Sequence, residues 1–169
     1  MVTHTKRRVF EEGHRRKFLV IVDGTPECGV ALFFAARVAQ RTSGSICLMH
    51  IADAQGTGGW SSFGNLNQGG GEGRAREMFA TYRDKLAEFG YEGLHTETVF
   101  REGKKADEIT RFIEADADVA VLVLGAAADR QGPGPLVSSL GTGSRAGDFP
   151  VPIYIVPGTL TLEEISALA

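Results

Sequence analysis

Residues 18–23 read FLVIVD, five apolar side chains in succession and then an aspartate. A strand with one solvated face alternates apolar and polar residues, so an unbroken apolar run predicts a strand buried on both faces. Such strands belong to parallel sheets covered by helices on either side. Two further segments repeat the pattern, SICLMHIAD at 45–53 and DVAVLVLGAA at 118–127. Amphipathic stretches separate them. After the first strand, Thr25 suits an N-cap, Pro26 the first helical position and Glu27 the positive helix end, while Val30, Phe33, Phe34 and Val38 share a face. The pattern predicts a helix over 26–42 that ends at Gly44.

The stretch from Gly73 restores helical spacing through Met78, Phe79, Tyr82 and Leu86 and stops at Gly90. LHTETVFREG alternates enough for a strand near a sheet edge, and KKADEITRFIEADA is a short helix. VPIYIVPG is a strand bounded by prolines, hence an edge. The last segment carries the capping-box spacing Thr161-x-x-Glu164. Strand and helix therefore alternate, which predicts an α/β fold. It is a doubly wound, five-stranded, mostly parallel sheet with helices on both faces and right-handed crossovers. The layout is a charged arm at 1–16, one domain over 17–158 and a tail helix over 159–169. Inside the domain, residues 54–73 are too rich in Gly, Ser and Asn for regular structure and read as a flexible excursion.

Composition narrows the function. The 169 residues are 43% hydrophobic and carry a formal net charge of −3, enough core for one domain and no general attraction to nucleic acid or an acidic membrane surface. No apolar h-region stands at the N-terminus, and no run reaches the ~18 apolar residues of a spanning helix. Two cysteines, Cys28 and Cys47, lack the spacing of a disulfide framework or zinc site and suit a reducing cytoplasm. The expectation is a cytoplasmic protein with no nucleic-acid partner and no membrane anchor. Charged N-terminal segments are usually solvated arms.

In parallel sheets ligands sit beyond the carboxyl ends of the strands. Asp23, Gly24 and Thr25, the end of the second strand at His50 and Ile51, and the loop after Leu124 all fall there. That loop holds Gly125, Gly141, Thr142, Gly143 and Ser144, whose backbone amides and hydroxyls can cradle phosphate, with Arg130 and Arg145 able to add charge. Pro133 and Pro135 each remove an amide from the same loop. His50 lacks a nucleophilic partner at matched spacing and reads as structural. Cys28 reads as a small buried residue. GxxxxGK[ST], GxGxxG and HExxH are absent, so neither a catalytic residue nor a metal site is expected.

In order and spacing the chain resembles the universal stress protein family over nearly all of residues 17–157. The resemblance rests on LVIVDGTPECGVALFFAARVA, on MHIAD, and on VFREGKKADEITRFIEADADVAVLVLGA with the glycine-rich loop behind it. It implies an adenine nucleotide alpha hydrolase-like, Rossmann-like sheet, usually in a homodimer whose last strands meet, here residues 151–156 with Val151 and Val156 at the ends. In some members it implies an ATP or AMP site, with Asp23 on the ribose, Ile51 at the adenine edge and a loop of pattern G-x2-G-x9-G-[ST]. This chain departs from that pattern, because Ala128 stands where the second glycine belongs and Gly141 comes late. Three readings stay open: a stress-response binding and signalling module with a degenerate nucleotide site, a true ATP or AMP binder with slow hydrolysis, and a flavin or dinucleotide enzyme on a similar sheet.

Overall fold

A computed structural model of the chain describes residues 3–53, 70–129, 131–141 and 145–169. Five strands form the sheet: β1 (Lys17–Ile21), β2 (Ser45–Ala52), β3 (Thr96–Glu102), β4 (Val119–Ala126) and β5 (Ile153–Pro157). They lie in the order β3-β2-β1-β4-β5, and every pairing is parallel. The fold is the α/β sheet expected. β1 is central, and Phe18, Leu19 and Val20 have no exposed surface.

Alternate residues of each strand feed two cores. Phe18, Val20, Ile46, Leu48, Val121 and Val123 face α1 (Pro26–Arg41), α2 (Gly71–Glu88) and α4 (Leu162–Leu168). Leu19, Cys47, Met49, Leu122 and Leu124 face α3 (Lys105–Ala115) and the short helical turn Val137–Gly141. This two-sided burial is why the strand sequences show no alternation.

Three local expectations change. The core face of α1 is Leu32, Ala35, Ala36 and Ala39 together with Phe33, while Val30, Phe34 and Val38 flank it half-buried. Small alanines let the helix approach the sheet closely, so the largest side chains mark its edges. The excursion was expected to reach residue 73, but α2 begins at Gly71. A Cβ on Gly71 would stand 3.2 Å from the Phe100 ring and 3.5 Å from Ala52. Close docking on β2 and β3 therefore favours glycine where helix propensity alone argues against it. Residues 54–69 of the excursion lie outside the described residues.

The N-terminal segment is also attached. α3 has no basic residue in its last turn, and Arg7 supplies one, donating from Nη1 to Ile113 O at 2.6 Å and Asp116 O at 3.1 Å. A cation on terminal carbonyls satisfies orphan acceptors at the negative helix end. Glu114 accepts from the Thr5 amide at 2.9 Å and contacts His4 Nδ1 at 2.8 Å. The Thr5 amide is the main cause, with burial opposing it, of a Glu114 carboxyl held down to about 2. At the foot of β1, Lys17 Nζ lies 2.5 Å from both Glu97 and Asp116. At the other end of the chain, the Thr161–Glu164 capping box forms with both reciprocal hydrogen bonds.

Candidate functional site

The adjacent carboxyl ends of β1 and β4 open into a cleft of about 110 Å³. Ile21, Leu124 and Gly125 come from the strand ends. Asp23 and the first turn of α1, through Thr25, Glu27 and Cys28, supply a second group of lining residues. Pro133, Gly134, Pro135, Leu136 and Val137 of the following loop supply a third, and Lys105 joins them from the first turn of α3. Small-molecule sites usually measure ~300–1,000 Å³, and a cavity of ~150 Å³ takes up benzene. The described part of the cleft is smaller than either.

The first turn of α1 is partly satisfied from within. Asp23 Oδ1 accepts from the Thr25 amide at 3.0 Å and from the Thr25 hydroxyl at 2.6 Å. Thr25 occupies the N-cap position, yet its side chain makes no cap hydrogen bond. This corrects the expected cap: the hydroxyl turns back to Asp23, forming an Asx-type turn in which Gly24 adopts a φ of 84°. Pro26 has no amide hydrogen, and the Cys28 amide donates to Thr25 O at 3.2 Å. The helix N-terminus thus already faces a carboxylate from its own chain.

Gly125 has a packing role. A Cβ there would stand 2.5 Å from Glu27 O and 2.7 Å from its carbonyl carbon, so the α1 backbone lies directly on the end of β4. Gly158 meets the same residue from the other side, with a Cβ 2.7 Å from Glu27 Cβ. The two glycines let Glu27 sit between the ends of β4 and β5.

The loop folds back on itself. Ala127 donates its amide to Pro133 O at 3.2 Å, and Gly132 and Gly134 take φ values of 103° and 100° that L side chains rarely adopt. Gly141 ends the helical turn, where a Cβ would stand 2.8 Å from Ile155 Cδ1. Gly141 therefore packs toward β5 and does not line the cleft. Thr142, Gly143 and Ser144, and Arg130 with them, lie outside the described residues. Arg145 donates from Nη1 to Asp107 Oδ1 at 2.8 Å, so its guanidinium is held by α3.

Of the remaining residues singled out in the sequence, Ile51 pairs with Arg101 of β3 and buries its side chain in the α3-side core. It does not line the cleft. His50 Nδ1 lies 2.8 Å from Val22 O and its ring stacks on Phe100, the structural role expected. Cys28 Sγ donates to Ile21 O at 3.2 Å, and burial pushes its thiol up to about 11. Among the described residues no group of three or more His, Cys, Asp or Glu is placed to hold a metal ion, and no helix is long and apolar enough to cross a membrane. Sequence reasoning missed Lys105 and the role of Glu27. The signal for Lys105 was its place at the start of a helix following a parallel strand, which puts it at the same sheet edge.

Larger grooves lie at the opposite, amino-terminal edge, of about 520 Å³ between Gln40 and Tyr91 and about 390 Å³ beside Lys17 and Glu97. The first runs along the C-terminal end of α1, where carbonyls rather than amides are presented.

Comparison with known proteins gives the same frame. No curated protein matches the sequence. Among solved structures, the universal stress protein from Archaeoglobus fulgidus is 18% identical with a TM-score of 0.58, the match covering 89% of this chain and 99% of that one. A universal stress protein family protein from Arabidopsis thaliana with AMP bound is 16% identical, with a TM-score of 0.55 and coverage of 83% and 90%. A universal stress protein from Archaeoglobus fulgidus in complex with dAMP is 19% identical, with a TM-score of 0.52 and coverage of 83% and 96%. These likenesses establish the fold. The family model described as Universal stress protein family matches residues 14–144, most of the chain, and this protein belongs to that family.

Proposed function

We propose that this chain is a small cytoplasmic stress-response module that acts by binding and signalling and not by catalysis, and that its carboxyl-edge cleft is an adenine-nucleotide site altered so that ATP is not held. The observation that carries this reading is the cleft itself. It measures about 110 Å³ and is lined from the loop side by Pro133 to Val137, where two prolines replace amide donors. AMP- and dAMP-bound neighbours on the same fold give the ligand class against which the alteration is defined. Calorimetric titration with ATP and AMP at millimolar concentration tests it. The expected result is no saturable heat with ATP; a micromolar Kd, or ATP-dependent phosphate release, refutes it.

The rival reading, an ATP or AMP binder with slow hydrolysis, draws on Lys105, which lines the cleft and has no ion-pair partner among the described residues. Asp23, Gly24, Thr25 and Gly125 would then hold the ligand, and the same titration separates the two. The flavin or dinucleotide enzyme draws no support from a cleft of this size.

A homodimer through β5 completes the proposal. Among the described residues the strand pairs on one side only, with β4, and Ile155 keeps 41% of its surface exposed. An open edge with an apolar side chain is a template for a second copy. Light scattering at high micromolar concentration should give twice the 18.1 kDa of the chain; the monomer mass refutes the dimer.

A further inference from the structure

We infer that a second copy of this chain docks on β5 in one antiparallel register, with the two-fold axis passing between the two Tyr154 residues. The inference rests on the proposed homodimer and adds to it which residues meet.

The two edges of the sheet differ in what they present. Ile46 donates its amide to His95 O and Gly103 donates to Ala52 O, so the odd-numbered residues of β3 bond to β2 and the even-numbered ones turn their backbone groups outward. Two of those outward carbonyls are covered. Thr96 O accepts from Arg83 Nη2 at 3.3 Å, and Phe100 O accepts from Arg101 Nη1 at 2.9 Å. Charged side chains laid over an edge oppose strand addition.

On β5 the phase is reversed. Leu122 donates to Pro152 O and Gly158 to Ala126 O, so the even-numbered residues serve β4 while Ile153, Ile155 and Pro157 face outward. Pro157 has no amide hydrogen, and its carbonyl accepts from Leu160. The amides and carbonyls of Ile153 and Ile155 have no partner among the described residues.

A closed pair presents the same edge on both copies, and a strand hydrogen-bonded to its own two-fold copy runs antiparallel. In such a ladder, directly opposed outward residues exchange both of their hydrogen bonds. An axis at Ile153 pairs that residue with itself and sets Ile155 opposite Val151, outside the strand. An axis at Ile155 sets Ile153 opposite Pro157, which has no amide to give. Only the axis at Tyr154 sets Ile153 of each copy against Ile155 of the other, so that every free amide and carbonyl of these residues finds a partner. The side chains suit this register. Tyr154 is half-buried with its ring edge-on to Phe34 at 5.9 Å, so the axis brings two aromatic rings together on the α1 side of the sheet. Ile153 and the exposed Ile155 meet on the other face. Cross-strand pairs of aromatic and branched side chains stabilise a sheet.

The test is a disulfide scan at a concentration where light scattering gives the dimer mass. Tyr154→Cys, Ile153→Cys and Ile155→Cys are oxidised with copper phenanthroline, and the wild-type chain, with Cys28 and Cys47 buried, supplies the background. In the Tyr154-centred register the two Tyr154 Cα atoms stand about 4.5 Å apart, within disulfide reach. Each isoleucine faces its own copy only diagonally, at about 7–8 Å. Tyr154→Cys should therefore cross-link to itself roughly tenfold faster than the other two. Faster linking at either isoleucine position, or equal rates at all three, overturns the register and leaves the dimer standing. A monomer mass for the wild-type chain removes dimer and register together. A filtered NOE between the Tyr154 Hα protons of differently labelled wild-type copies reads the same contact without substitution, and its absence in a sample of dimer mass also overturns the register.

Discussion

Replacing Gly125 with alanine separates two accounts of one residue. If the glycine serves a phosphate, a methyl group affects ligand binding and leaves folding alone. The structure assigns the opposite. The new Cβ would lie 2.5 Å from Glu27 O, 2.7 Å from its carbonyl carbon and 3.1 Å from its Cβ, and the first two are main-chain atoms that no rotamer change can move. The first turn of α1 would have to lift from the end of β4, and with it the contacts of buried Cys28 and Leu32. Overpacking of this kind costs about 1–3 kcal/mol, and a backbone clash belongs in the upper half of that range. For a chain of 169 residues, where each kcal/mol moves Tm by ~2–4 °C, about 2 kcal/mol becomes a fall of ~4–8 °C. Gly73→Ala is the matched control. It adds the same methyl in α2 where nothing lies within 4 Å, and it should raise stability by about 0.5 kcal/mol through helix propensity. Melts followed by circular dichroism at pH 7 suffice. A Gly125→Ala protein melting within 1 °C of wild type would refute the packing argument and return the residue to the ligand.

Other predictions follow from the same contacts. Thr161→Ala removes a complete capping box and should cost about 1 kcal/mol, read as a lower denaturation midpoint with an unchanged slope. Lys17 is half-buried between Glu97 and Asp116; burial alone would lower its pKa, but the two carboxylates together outweigh it and raise the value. A raised cationic pKa means the stabilisation is present below the ordinary lysine range and disappears as pH rises above it. Wild type should therefore lose more stability than Lys17→Met between pH 9 and 12, and parallel curves would contradict this. Glu114 is held down to about 2 by the Thr5 amide, so its contribution is full above about 4.5 and declines as pH falls toward 2. Trypsin cleavage after Lys6 and Arg8 should be faster in Glu114→Gln at neutral pH, and equal rates would show that the arm is not held there. Both thiols are buried and pushed up, Cys28 to about 11 and Cys47 further. A thiol reagent at pH 8 should find no fast-reacting cysteine until denaturant exposes two, and a fast native reaction would refute their burial.

The topology was legible because the three central strands are buried on both faces, and sequences such as FLVIVD and AVLVL admit few other placements. The edge character of β3 and β5 also followed locally, from alternation in one and flanking prolines in the other. What escaped were features created by close approach. The start of α2 at Gly71 depends on Phe100, twenty-nine positions away, and the core face of α1 depends on alanines that look unremarkable in a helical projection. Arg7 could not be assigned to the end of α3 from sequence, because the need for a cation there arises from unsatisfied carbonyls more than one hundred positions on. In the site, Asp23 and Thr25 were found by position, but their mutual hydrogen bonds make them a turn before they are anything else. Gly125 was found by its place after β4 while its packing on α1 was not, and Ile51 belongs to the core. Lys105 and Glu27 were missed because each enters the cleft through a packing of helix on strand end that no local pattern encodes.

The account stands most directly on whether the wild-type cleft holds ATP. An NMR titration of the uniformly labelled chain with ATP to 5 mM reports every amide around Asp23, Glu27, Gly125 and Lys105 at once. The prediction is that these resonances do not saturate. Saturable shifts at these four positions with a Kd in the micromolar range would contradict it.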